Sequence, residues 1–185
     1  MALVNSIQIP LGASLPSFVL KDPINKIFDS AQGIAQGHSK GLVVAFMCNH
    51  CPYALAIWPR LIQLSSYAKR LGINTIAINP NIHPDYPEDS PSQMKVKTEE
   101  WGIPFPYLID SSQKVARLFD ARCTPDIYFY NDRSKLIYHG RFDDNWQDES
   151  KVKHQELKTA IDDYSNGRTI NPDQKPAMGC SIKWL

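Results

Sequence analysis

Cys48, Asn49, His50 and Cys51 form a C-x-x-C motif at the end of an apolar, strand-like run and directly before a helix-like segment. Two thiols at this spacing can exchange with a bound disulfide, and the thiolate is the reactive form. A helix N-terminus presents unpaired N–H groups and partial positive charge, which favour that thiolate. Proline is best tolerated at the first helical position, so Pro52 makes Cys51 the N-cap residue and leaves Cys48 in the preceding loop. A protonated His50 nearby would stabilise a thiolate; otherwise His50 is a solvent-exposed loop residue. The two cysteines could instead be half of a four-thiolate zinc site with Cys123 and Cys180. A second close pair is missing, however, so no metal and no cofactor are expected.

The elements that must position these thiols follow from periodicity. Residues 42–47, Leu-Val-Val-Ala-Phe-Met, are a continuous apolar run that suits a central strand buried on both faces. From Pro52 to Leu71 apolar residues recur at helical spacing, and Gly72 is a stop signal. Ile73 to Asn79 reads as the next buried strand, parallel to the first through a right-handed crossover. Phe18–Leu20 and Ile24–Phe28 read as an N-terminal hairpin. Ser90-Pro91-Ser92-Gln93 predicts a capped helix to about Trp101, and Pro106–Ile109 a short strand. Asp110 with Gln113 predicts a capped short helix to Phe119. Ile127–Tyr130 and Leu136–His139 read as an antiparallel hairpin, and Ser150 as the cap of a last helix to about Ser165. Residues 167–185 read as a polar, flexible tail. The expectation is an α/β architecture with a mixed central sheet flanked by helices, one domain over 1–166 to which the tail belongs.

The 185 residues carry a formal net charge of +1, with 20 basic and 19 acidic side chains and no basic block, so neither nucleic acid nor an anionic membrane is expected as a partner. The N-terminus has no basic start and no long apolar core, so it does not read as a signal peptide. Four scattered cysteines do not resemble a secreted disulfide framework, and a cytoplasmic location is expected. The acidic stretch Asp143, Asp144, Asp148 and Glu149 reads as a solvated loop. The aromatic residues, Trp58 among them, read as core.

The order of elements, together with Cys48-Asn49-His50-Cys51-Pro52-Tyr53, Tyr86-Pro87-Glu88-Asp89-Ser90-Pro91, Cys123-Thr124-Pro125-Asp126 and Gly179-Cys180-Ser181-Ile182-Lys183-Trp184, resembles the peroxiredoxin-like, thioredoxin-domain family of the AhpC/TSA-redoxin type. The resemblance covers roughly residues 10–166 and implies a thioredoxin-like fold. Thioredoxins place a proline eight residues after the first active-site cysteine, and Pro59 stands in that relation to Cys51. Ala54 then occupies the place of the second thioredoxin cysteine, so the partner of Cys51 is Cys48, Cys123 or a thiol outside the chain. The other register takes Cys48 first and Cys51 second. Pro125 resembles the cis-proline facing the active-site disulfide, which would set Cys123 within several ångströms of the motif. Cys123 is then either a third exchange thiol or a small buried hydrophobe. Cys180 is a resolving thiol, an intermolecular disulfide partner or an inert residue.

The function implied is a thiol-disulfide oxidoreductase acting on a protein or small-molecule disulfide, with a thiol reductant as the other partner. A peroxiredoxin-type peroxidase is less well supported. Peroxiredoxins carry a threonine three residues before the reactive cysteine and a proline four before that; relative to Cys51 these places hold Cys48 and Val44, and relative to Cys48 they hold Ala45 and Gly41. A non-enzymatic redox-sensing or binding module is the remaining alternative.

Overall fold

The computed structural model describes residues 3–34 and 39–185. In chain order its strands are β1 (Leu3–Asn5), β2 (Val19–Lys21), β3 (Ile27–Asp29), β4 (Gly41–Phe46), β5 (Ile73–Asn79), β6 (Tyr107–Ile109), β7 (Cys123–Thr124), β8 (Asp126–Asn131), β9 (Leu136–Gly140) and β10 (Met178–Ser181). Its helices are α1 (Ser30–Gly33), α2 (Pro52–Arg70), α3 (Pro91–Glu100), α4 (Lys114–Leu118) and α5 (Glu156–Ser165).

The apolar run before the cysteines becomes β4, buried at every position. Successive side chains of a strand point to opposite faces. Val43 and Ala45 therefore join a core with Ile57, Trp58 and Leu61 of α2 and Ile161 of α5, while Leu42, Val44 and Phe46 pack with Phe119 and Tyr128 on the other face. The principal sheet runs β3-β2-β6-β5-β4-β8-β9. β4 pairs with β5 in parallel and with β8 antiparallel, so the sheet is mixed. The N-terminal hairpin forms as β2 and β3, and its first strand meets β6 at Lys21 and Ile109.

α2 starts at Pro52 with Cys51 as its N-cap and ends at Arg70, where Gly72 takes φ +83° and closes the turn. Its Arg60 is buried, pairs with Asp143 and donates to Asn145 O (3.1 Å) and Trp146 O (2.6 Å). The expected solvated acidic loop is thus anchored at Asp143, because a buried guanidinium needs acceptors. Ser90 caps α3, accepting from Gln93 N at 3.4 Å.

Three local expectations fail. Ser150 does not cap the last helix: Asp148 accepts from its N–H, a short 3₁₀ turn follows at Glu149–Lys151, and α5 begins only at Glu156. Between them Lys153 N donates to Asp144 Oδ1, an acceptor that competes with the helix ladder. Asp110 does reach the first turn of α4, accepting from Ala116 N through Oδ2 (2.8 Å), but Gln113 does not close a capping box with it. Gln113 sits in the left-handed region (φ +58°), and its buried amide donates to Lys183 O (2.6 Å) and accepts from Leu185 N (2.8 Å).

The third correction is the tail. β10 lies between β1 and β7, pairing antiparallel with both, with Cys180 opposite Leu3 on one side and Thr124 on the other. Ile182 is buried, Lys183 N donates to Asn81 Oδ1 (2.9 Å), and Arg117 stacks over Trp184 at 4.3 Å. Backbone pairing and buried side chains replace the expected flexibility.

Candidate active site

Parallel β4 delivers the chain to Cys48, and α2 departs from Cys51, so both thiols stand at the carboxyl end of the sheet beside the β7–β8 turn. All four cysteines are reduced and buried. The turn between Cys48 and Cys51 is held from four directions. Trp58 Nε1 donates to Cys48 O (3.1 Å) and Tyr107 Oη to Asn49 Oδ1 (3.0 Å). Asn49 Nδ2 donates to Glu88 O (2.8 Å), and Asn49 N donates to Asp89 Oδ1 (2.6 Å). Trp58 therefore does more than fill the core.

Asp89 is fully buried and organises the polar side of the site. Its Oδ1 also accepts from Asn79 Nδ2 (2.9 Å), and its Oδ2 is bonded to His50 Nδ1. His50 is thus not a free loop residue. Its ring packs on Tyr86 (centroids 4.4 Å apart), and its Nε2 is buried with no hydrogen-bond partner among the described residues. Cys48 Sγ, a ring nitrogen of His50 and an Asp89 carboxylate oxygen lie within 4.8 Å of one another, the sulfur, nitrogen and oxygen donors that could hold a transition-metal cation. Both Asp89 oxygens already accept hydrogen bonds, so the charge is compensated without one.

The two motif thiols have opposite electrostatics. The Cys48 thiol donates to Cys51 and, as the largest influence, pulls the Cys51 pKa down to about 5 against the cost of burial; Cys180 and the Ala54 N–H add to the effect. That shift favours the thiolate form of Cys51 at neutral pH, although the protonated thiol has its own acceptor in Thr124 O (3.3 Å). Cys48 is pushed well above the ordinary thiol range by burial first, then by its bond to Cys51 and the Asp89 charge. One thiol is the anion and its neighbour is the proton donor.

Thr124 joins the two, a residue not singled out by the sequence reading. Its hydroxyl lies 3.1 Å from Cys48 Sγ, and its carbonyl lies 3.3 Å from Cys51 Sγ. The Thr124–Pro125 peptide is cis, as the resemblance implies. Cys123 bonds to Pro125 O (3.6 Å) rather than to either motif thiol, and burial, then Asp126, push it far above the usual thiol range. Cys180, expected in a loose tail, instead hydrogen-bonds Cys51 and is pushed up to about 12, by burial first. Asp89 and Cys180 both lie inside motifs that carry the family resemblance, but nothing in their spacing relates them to the thiols.

Comparisons with known proteins agree with this architecture. The crystal structure of an uncharacterized conserved protein from Geobacillus kaustophilus is 38% identical, with a TM-score of 0.92 over 100% of this chain and 97% of that one. That of a hypothetical protein from Sinorhizobium meliloti is 34% identical, with a TM-score of 0.91 over 98% of each chain. A secreted disulfide oxidoreductase from Mycobacterium tuberculosis, 16% identical, shares the thioredoxin-like fold with a TM-score of 0.59 over 78% of this chain and 94% of that one. Curated proteins yield no match. The model of the AhpC/TSA family matches residues 11–139, and the chain belongs to that family.

Proposed function

We propose that the protein is a thiol-disulfide oxidoreductase in which Cys51 is the nucleophile and Cys48 the thiol left disulfide-bonded to it at the end of the oxidative half. The Cys51 thiolate attacks a substrate disulfide, forms a mixed disulfide and releases one substrate thiolate. The negative charge that held the Cys48 proton is then gone, so two of the influences keeping Cys48 protonated disappear. Cys48 attacks Cys51 Sγ, forms the Cys48–Cys51 disulfide and releases the second substrate thiolate. An external thiol reductant restores the dithiol. The reading places the protein in the cytoplasm, where such reductants keep cysteines reduced.

The observation that carries this reading is the hydrogen-bonded pair itself: a thiolate at a helix start with a protonated thiol as donor. The test is reduction of a chromogenic disulfide by the wild type, Cys51→Ser and Cys48→Ser. Cys51→Ser is expected to abolish turnover, and Cys48→Ser, which loses the strongest donor to the thiolate, to slow it. Unchanged turnover in both variants overturns the assignment.

Membership of the AhpC/TSA family favours thiol peroxidase activity as a second reading. The same three proteins assayed with hydrogen peroxide separate the two: a peroxidase forms Cys51 sulfenic acid and consumes peroxide at least as fast as disulfide.

A further inference from the structure

The edge strand β7 presents Thr124, whose carbonyl faces Cys51 and whose hydroxyl faces Cys48. An extended chain pairing antiparallel with this edge sets the residue opposite Thr124 against the Cys51 sulfur. That place is taken by the protein's own β10, with Cys180 opposite Thr124 and Ser181 opposite Cys123. Cys180 is 2% exposed and hydrogen-bonds Cys51, which makes Cys51 the shared member of two thiol pairs.

The tail is fitted to this position. A Cβ on Gly179 would stand 2.1 Å from Thr124 O, and one on Gly140 would stand 2.3 Å from Lys175 O. β1 covers the other edge of β10, Ser6 N donates to Ala177 O (2.8 Å), and Ile182 N donates to Arg122 O (3.0 Å). While β10 is in place, no polypeptide can add to the edge by strand pairing. A groove of about 380 Å³ remains beside Pro125, between Phe142, Trp146 and the tail residues Ala177 and Met178, a size that suits a small molecule.

We propose that Cys180 is a third redox-active thiol, the built-in disulfide partner of Cys51 in a site that serves low-molecular-weight disulfides. The proposal rests on Cys51 being the nucleophile. Cys51 attacks a small disulfide RSSR, giving Cys51–S–SR and RS⁻. The Cys180 thiol then attacks Cys51 Sγ, forming the Cys51–Cys180 disulfide, and its proton leaves with the second RSH. The pair, a thiolate and a thiol, has lost two electrons and one proton, and RSSR has become RS⁻ and RSH, the first of which takes its proton from water. Cys48 then attacks Cys51 Sγ, giving the Cys48–Cys51 disulfide and returning Cys180 to the thiol, so the oxidising equivalent passes along Cys180, Cys51 and Cys48 without leaving the chain.

The test removes the competing partner. Reduced Cys48→Ser is treated with bis(hydroxyethyl) disulfide, quenched with acid, digested without reductant and mapped by mass spectrometry, with Cys48→Ser/Cys180→Ser in parallel. The expected result is a Cys51–Cys180 cross-linked peptide in the single variant and a persistent hydroxyethylthio adduct on Cys51 in the double variant. A persistent Cys51 adduct with Cys180 a free thiol in the single variant overturns the proposal and leaves the nucleophile assignment standing. An unmodified Cys51 in both variants overturns the nucleophile assignment and the proposal with it.

Discussion

Gly179 lies so close over Thr124 that a Cβ would come within 2.1 Å of the Thr124 carbonyl oxygen and 3.1 Å of Pro125 N. The atoms met are backbone, not the ends of flexible side chains, so an added methyl must displace β10 or the turn before Pro125. Overpacking of this kind costs about 1–3 kcal/mol. Gly179→Ala is expected to lower the urea midpoint and to accelerate alkylation of Cys51 in the native protein, because the strand covering the sulfur is the part that gives way. An unchanged midpoint together with unchanged alkylation would show that the tail does not cover the thiolate.

The depressed Cys51 pKa makes a signed prediction about stability. An unfolded cysteine titrates near about 8.5, whereas the folded thiolate persists down to about pH 5. Between those values the unfolded chain binds more protons, so this contribution is complete above the unfolded value and is lost as pH falls through about 5. Cys48 and Cys180 are raised instead, so their contribution is present below the unfolded value and is lost at alkaline pH. The urea midpoint of the reduced wild type should therefore fall more steeply from about pH 8 to about pH 5 than that of Cys51→Ala. Thiolate ultraviolet absorbance should titrate near pH 5 in the wild type and move upward in Cys48→Ala, which lacks the strongest donor to the thiolate. Equal slopes for wild type and Cys51→Ala would refute the shift.

The same asymmetry bears on redox poise. A stabilised thiolate favours the reduced form, so the disulfide it forms is the more oxidising. Equilibration with glutathione buffers is expected to give a reduction potential above the thioredoxin value of about −270 mV. A value at or below it would mean that burial and the Asp89 charge offset the thiolate's stabilisation.

Much of the frame that sets up this asymmetry is readable in the chain. The apolar run at 42–47 and the segment Ile73–Asn79 both read as buried strands, and Pro52 with Gly72 brackets the helix whose N-cap is Cys51. What escapes is structure made by partners rather than by pattern. Met178-Gly179-Cys180-Ser181 has no alternation and no apolar run, and it is a strand because β1 and β7 offer open edges and Gly179 permits the approach. Asp89 likewise reads as one acid in a polar loop, and only the fold turns Asn49, Asn79 and His50 toward it.

Asp89→Asn separates the structural role of that carboxylate from its charge. The substitution keeps one acceptor for Asn49 and Asn79 but turns an amide donor toward His50 Nδ1, which accepts it only in the tautomer that puts the N–H on the buried, unpartnered Nε2, at a cost of about 1–3 kcal/mol. It also removes the negative charge that raises Cys48. The expected outcome is a lower urea midpoint together with a Cys48 titration displaced toward neutral pH, read in Cys51→Ala so that only one motif thiol responds. Destabilisation without that displacement would confine Asp89 to holding the Asn49 turn.

Trp58→Phe tests whether the core aromatic on α2 positions the site as well as filling it. Its ring packs edge-on against Tyr107 (centroids 4.9 Å apart), and a phenyl ring keeps much of that contact. The lost atom is Nε1, the donor to Cys48 O in a buried turn, which leaves that carbonyl without its partner for about 1–3 kcal/mol. Cys48 is the strongest stabiliser of the Cys51 thiolate, so a turn that relaxes at residue 48 weakens that bond first. Trp58→Phe should therefore raise the Cys51 titration midpoint as well as lower stability. A variant that loses stability but titrates as the wild type does would show that the Asn49 bonds to Asp89, Glu88 and Tyr107 suffice to hold Cys48 in place.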